Sequence, residues 1–204
     1  MWLAAATLLV AVLGSSARAG EPGSERDRKS VSDVRVRVEL FQVALVADGK
    51  LSFLRQSAAL DARGPDVAVA ELQHSADGGA PFFDGKPTIV HSTSWRFESE
   101  GIVVLTYLAF GERLGPRAPG RKDVRTMSWQ ELPGLGPTDP DKPRPAVLLH
   151  EDVLAHGLRH LALLARRVGN DRFAERLSKS SRAFFAAIEP AIAGKIPAIP
   201  RQAR

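Results

Sequence analysis

Residues 102–110, IVVLTYLAF, form an almost unbroken apolar run rich in β-branched and aromatic side chains. Such a run suits a pleated strand. Its apolar residues occupy both odd and even positions, so both faces need cover, which predicts a central strand with other elements packed on each side. Residues 88–98 predict its antiparallel partner, and Glu100 and Gly101 supply the turn between them. Strand alternation sets His91, Thr93, Trp95 and Phe97 on one face and Ser92, Ser94, Arg96 and Glu98 on the other. A two-residue turn would bring Tyr107 opposite Ser94 and Leu105 opposite Arg96. A slip of one residue would flip every face.

The stretch HSTSWR is unusually polar for a neighbour of such a strand, and two readings stay open. In one, Ser92, Ser94, Arg96 and Tyr107 gather as a ligand-binding face. In the other, the segment is an outer strand with Trp95 and Phe97 in the core and its polar side in water.

The rest of the sheet precedes this hairpin. Val34, Val36, Val38 and Leu40 alternate with Arg35, Arg37 and Glu39, and residues 41–46 are then apolar on nearly every position. This predicts a long strand running from an exposed margin into a core. Asp48-Gly49 predicts a hairpin turn, and residues 51–54 return as a second strand. Residues 66–74 follow Pro65 and read as a helix, although DVAVAEL also alternates as a strand would. Residues 111–125 carry five basic and two acidic residues among Gly and Pro, which predicts an exposed loop.

Helical periodicity dominates the C-terminal part. Leu154, Leu158, Leu161, Ala165 and Val168 recur on one face. Gly169 ends that helix, and Asn170 or Asp171 caps a second one running through Phe173, Leu177, Phe184 and Ile188. The fold class that follows is α+β: an antiparallel or mixed β-sheet with a C-terminal helical hairpin packed on it. The expected organisation is a β-rich α+β domain over residues 33–133, a Pro-rich linker over 134–145, the helical hairpin over 146–190 and a disordered basic tail over 191–204.

Residues 1–19 have the apolar core and the Ala17-Arg18-Ala19 ending of an export signal, followed by a charged linker over 20–32. The apolar run is too short for a transmembrane helix. No Lys or Arg precedes it, and the competing expectation is translation from Val31. The first places the protein in the periplasm or outside the cell, the second in the cytoplasm.

The absence of cysteine removes disulfides, thiolate metal sites and a Cys nucleophile. A net charge of +5 suits a small anionic molecule as partner, whereas 6% aromatic content and scattered basic residues form no nucleic-acid stripe. The sequence leaves the oligomeric state open. Glycine-rich phosphate and dinucleotide motifs and the G-x-S-x-G elbow do not occur. His156 and His160 stand at i and i+4, so they share a helix face and are the candidate pair for a metal. H-E-x-x-H is not present.

Residues 34–133 resemble a Nudix-type domain. The resemblance is carried by the opening strand, the Asp48-Gly49-Lys50-Leu51 turn, Leu54-Arg55, the Ala68-Val69-Ala70-Glu71-Leu72 segment and Trp129-x-Glu131-Leu132-Pro133. The family's helix usually reads A-x-R-E-L-x-E-E-x-G. Here Ala70 stands in the place of its Arg, and His74 and Ser75 in the places of its two metal-binding Glu residues. The resemblance implies a degenerate box with only Glu71 retained, which would hold a divalent cation poorly. Two functions are therefore expected. The first is a non-catalytic small-ligand-binding or interaction domain using Ser92, Ser94, Arg96 and Tyr107. The alternative is a divergent Nudix-like hydrolase of a nucleoside diphosphate-linked or other phosphorylated small molecule. It would use Glu71, His74 and His91, with a divalent cation.

Overall fold

The computed structural model describes residues 34–46, 49–74, 80–98, 101–132, 148–167 and 171–192. The export signal and linker expected over residues 1–32, Ser75, the linker expected over 134–145 and the tail beyond residue 192 lie outside the described residues.

Five strands form one mixed sheet: β1 (Arg35–Val46), β2 (Lys50–Ala59), β3 (Ile89–Glu98), β4 (Ile102–Gly111) and β5 (Arg125–Ser128), in the order β3-β4-β1-β2-β5. Among the described residues four α-helices accompany them: α1 (Pro65–His74), α2 (His150–Arg166), α3 (Asp171–Arg176) and α4 (Lys179–Ala187). The sheet is mixed because β1 pairs antiparallel with β2 and parallel with β4. Gly49 (φ 68°) and Gly101 (φ 75°) stand where the two hairpins turn, in a conformation that costs a residue with a Cβ. The helix expected over residues 66–74 is α1.

The expectation that residues 102–110 form the middle of the sheet is corrected. The middle strand is β1, flanked by β4 and β2 along its length. Its own signal was the switch to an apolar run from residue 41, since a strand with full-length partners on both sides lies deepest.

Each face of the sheet has its own cover. On one side Phe41, Val43, Leu108 and Phe110 pack against Leu154, Leu158 and Leu161 of α2 and against Phe184 and Phe185 of α4. On the other, Val38, Leu40 and Leu54 pack against Ala68, Val69 and Leu72 of α1. Truncating a fully buried member such as Leu158 to Ala would cost about 2–5 kcal/mol. Gly157 lets α2 approach the sheet closely: a Cβ there would lie 2.8 Å from Leu108 Cδ1 and 3.4 Å from Thr93 Oγ1.

The second helix of the expected hairpin is divided. It breaks between α3 and α4, where Ser178 caps α4 by accepting a hydrogen bond from the Ser181 N–H. Glu112 at the end of β4 accepts from the Ser178 N–H (2.9 Å) and the Ser181 hydroxyl (2.8 Å), tying that break to the sheet. The 111–125 segment also packs: Ala118 is fully buried, and Arg121 donates to the Ala80 carbonyl at 2.9 Å.

Candidate functional site

A β-bulge at Ser92/Ser94 rearranges the face assignments of β3. Tyr107 pairs with Ser92 and Leu105 with Trp95, while Arg96 pairs with Val104. This corrects the expected register. Ser94, opposite Thr106, and Arg96 therefore face the α2 side, as His91 and Thr93 do. Ser92, Tyr107, Trp95 and Phe97 face the α1 side. Trp95 and Phe97 are not core residues: they are 56% and 45% exposed, in edge-to-face contact at 5.5 Å. The reason is positional. α1 packs over β1 and β2, and β3 is the far edge of the sheet.

The α2 side holds a charged cluster built on Glu39. The alternation at the start of β1 aims Arg37 and Glu39 to the same side as Phe41. Because β1 is the middle strand, Glu39 is fully buried. Arg96 donates from Nη1 to its Oε2 at 2.7 Å and from Nη2 to its Oε1 at 3.3 Å. Arg55 donates from Nε to Oε1 at 2.5 Å, and the Thr106 hydroxyl donates to Oε2 at 3.2 Å. Arg96 also donates to Thr106 Oγ1 at 3.0 Å and to Glu98 at 3.1 Å, and Arg37 donates to Glu98 at 3.3 Å.

Burial pushes the Glu39 carboxyl up, but the hydrogen bonds and charges of Arg96 and then Arg55 outweigh it and hold the group below its ordinary value. Glu39 is therefore ionised at neutral pH with both oxygens occupied. It has no proton to give and no free lone pair aimed at a substrate, so it serves neither as general acid nor as nucleophile. Its role is to hold guanidinium groups.

Three guanidiniums face two carboxylates, leaving one positive charge in excess. Among the described residues Arg37 and Arg55 each make a single side-chain hydrogen bond, and Arg55 makes its own directly to the buried Glu39. Only its Nε is engaged among the described residues, and its side chain is 29% exposed. His150, the exposed first residue of α2, lies in the field of the same cluster: partial desolvation, then the positive charge of Arg55, lowers its pKa. A helix N-terminus also presents positive potential there. The Leu149 N–H is taken by the Asp152 carboxylate at 3.0 Å.

Of the residues expected for hydrolysis, His91 is separated from Glu71 and His74. Glu71 is exposed and paired with Arg63 at 2.6 Å, and His74 Nδ1 lies 2.6 Å from the Ala70 carbonyl oxygen within its own helix. Both border a shallow groove on the outer side of α1 with Asp66. His91 faces α2, on the opposite side of the sheet, where it stacks on His160. Of the expected ligand face, Arg96 belongs to the charged cluster and Ser94 pairs with Thr106 beside it, whereas Ser92 and Tyr107 are on the α1 side. Burial and the charge of Asp66 raise the Tyr107 pKa. His156 and His160 are both buried. Among the described residues no three His, Asp or Glu side chains converge as a metal ion would require, and no described helix is long and apolar enough to cross a membrane.

Sequence reasoning missed Glu39, Arg55, Thr106 and His150. The available signal was an acidic residue two positions before a doubly apolar run, with an Arg on the returning strand of the hairpin.

No family model and no curated protein matches the chain. Among solved structures, the C-terminal domain of mouse MUTYH, in its complex with human PCNA, is similar at a TM-score of 0.35 and 12% identity, over 48% of this chain and 74% of that one. A protein from Chromobacterium violaceum, named as a nudix hydrolase family member, is similar at a TM-score of 0.34 and 12% identity, over 76% of this chain and 94% of that one. At these scores neither likeness adds to the reading of the site.

Proposed function

We propose that this domain binds a small carboxylate- or phosphate-bearing molecule at the Arg37–Arg55–Arg96 cluster and does no chemistry on it. One observation carries the reading. Arg55 is anchored by Nε to a buried, ionised Glu39, while its terminal nitrogens have no partner among the described residues and its side chain is partly reached by solvent. A guanidinium held at one edge presents the planar fork that oxyanions bind in bidentate fashion. The excess positive charge and the adjacent helix start favour an anion there. Hydrolysis through Glu71 and His74 is less well supported, because their hydrogen bonds are made to Arg63 and to their own helix.

The test is thermal and calorimetric titration of the protein with inorganic phosphate and with small di- and tricarboxylates, repeated with Arg55→Ala and Arg55→Lys. The expected result is saturable stabilisation reaching about 2.7 kcal/mol at a hundredfold excess over Kd, lost in Arg55→Ala and weakened in Arg55→Lys. Equal stabilisation of wild type and Arg55→Ala by every anion would overturn the reading, as would none for either.

A further inference from the structure

A second set of ionisable groups lies further along α2, apart from the guanidinium cluster. His156 is 3% exposed and His160 is 7% exposed. The His160 ring stacks on that of His91 from β3, centroids 5.2 Å apart and planes at 21°. Its Nδ1 lies 3.3 Å from the Ala191 carbonyl oxygen. Neither ring nitrogen of His156 has a hydrogen-bond partner among the described residues. The positive charge of Arg159 and the imidazole of His160 act on it from α2, and the buried carboxylate of Asp152 lies one helical turn before it. Arg159 reaches Glu189 of the C-terminal segment at 3.6 Å. None of the three imidazoles bonds to a carboxylate among the described residues.

We propose that His91, His156 and His160 form a proton-operated latch between α2 and the edge strand β3: neutral, the rings seal the two elements together, and protonated, they drive them apart. Neutral imidazoles can stack and be buried at modest cost. An imidazolium at His156 would be a buried charge with no hydrogen-bond acceptor among the described residues, and imidazoliums at His91 and His160, stacked across the interface, would repel. The junction also lies at an edge of the sheet. β3 is held by β4 on one side only, and α2 meets it through the close approach of Gly157 to Thr93.

The electrostatics agree in direction. Burial, then His160 and Arg159, pushes His156 down to about 4. Burial, then His160, lowers His91. Burial lowers His160 also, partly offset by its bond to Ala191. A released imidazole titrates near 6.5, so the latch is closed above that pH. It weakens as pH falls towards 4, by about tenfold in the closing equilibrium per pH unit for each proton taken up.

Histidine-ring NMR of the full chain between pH 8 and 4, with amide hydrogen exchange corrected for intrinsic rates, tests this. In the folded protein the His156 ring should stay neutral to about pH 5. Protection of the α2 amides should fall reversibly, at least tenfold per pH unit below 6.5, before protection in β1 and β2. His156→Leu and His91→Phe should each flatten that profile. A His156 ring that titrates near 6.5 in the folded wild type overturns the latch, and this reading needs no variant to fold. So does simultaneous loss of protection in α2 and β1, or an unchanged acid profile in both variants.

Discussion

Glu39 and His156 are both ionisable and almost fully buried on the α2 side of one sheet, yet the fold treats them in opposite ways. Glu39 is buried charged, with two guanidiniums and a hydroxyl around it. His156 is buried neutral, with no hydrogen-bond partner among the described residues. The contrast teaches that burial alone does not set a group's charge state. Burial raises the Glu39 pKa and lowers that of His156, disfavouring the ion in each case. Only at Glu39 do opposite charges reverse the outcome. The guanidinium cluster is thus a rigid charged platform suited to an anion, and the histidine cluster a latent charge suited to a switch.

The comparison can be broken first at its strongest member. Glu39→Ala leaves Arg55 and Arg96 facing one another without their shared anion. It should cost about 3–5 kcal/mol in urea unfolding at pH 7, and a loss below about 1 kcal/mol would show that the carboxylate is not what holds the two arginines.

Acid separates the two regions by window. The folded-state pKa of His156 is depressed, so its contribution is intact above the unfolded value near 6.5 and is lost as pH falls. By pH 4 the loss reaches about 3 kcal/mol from this residue alone. Glu39 is also depressed, but its contribution is intact above about 4.5 and is lost only below it. Urea midpoints should therefore decline from pH 6.5 to 4.5 in wild type and decline less steeply in His156→Leu, which keeps the depressed His91 and His160, with both proteins falling steeply below 4.5.

Gly157→Ala probes the seat of α2 on the sheet. Overpacking against Leu108 and Thr93 should cost about 1–3 kcal/mol, offset by about 1 kcal/mol of helix propensity. A net gain in stability would mean that the contact yields freely. Arg55→Ala should cost only about 1 kcal/mol of stability, since Arg96 still neutralises Glu39, while removing any anion-induced rise in Tm. Trp95→Ser should change stability by less than about 0.5 kcal/mol, in keeping with its 56% exposure on the sheet edge. A larger loss would mean that the ring is covered in solution.

Much of the framework was legible in the chain. Asp48-Gly49 and Glu100-Gly101 mark two hairpins, the 102–110 run is an interior strand, and the spacing of Leu154, Leu158 and Leu161 specifies the α2 face. These readings rest on turn chemistry and periodicity, both local. The candidate site was half legible. Arg96 stood out as a cation in an otherwise buried neighbourhood, but its partners did not, because Glu39 and Arg55 are ordinary alternating residues until their strand is placed in the middle of the sheet. Trp95 and Phe97 misled for a related reason: a large aromatic on a strand is read as core, whereas the edge position of β3 leaves both in water.

By itself, then, the sequence determined the elements, their turns and the apolar faces that had to be covered, since those follow from interactions between residues close in the chain. The tertiary structure alone decided the strand order, the parallel pairing of β1 with β4 and the single-residue bulge in β3. A bulge has no compositional signature, and strand order is set by pairings between residues sixty or more positions apart, as in Arg35 with Ile102. Those long-range choices bury Glu39 between two arginines and leave His156 buried without a partner.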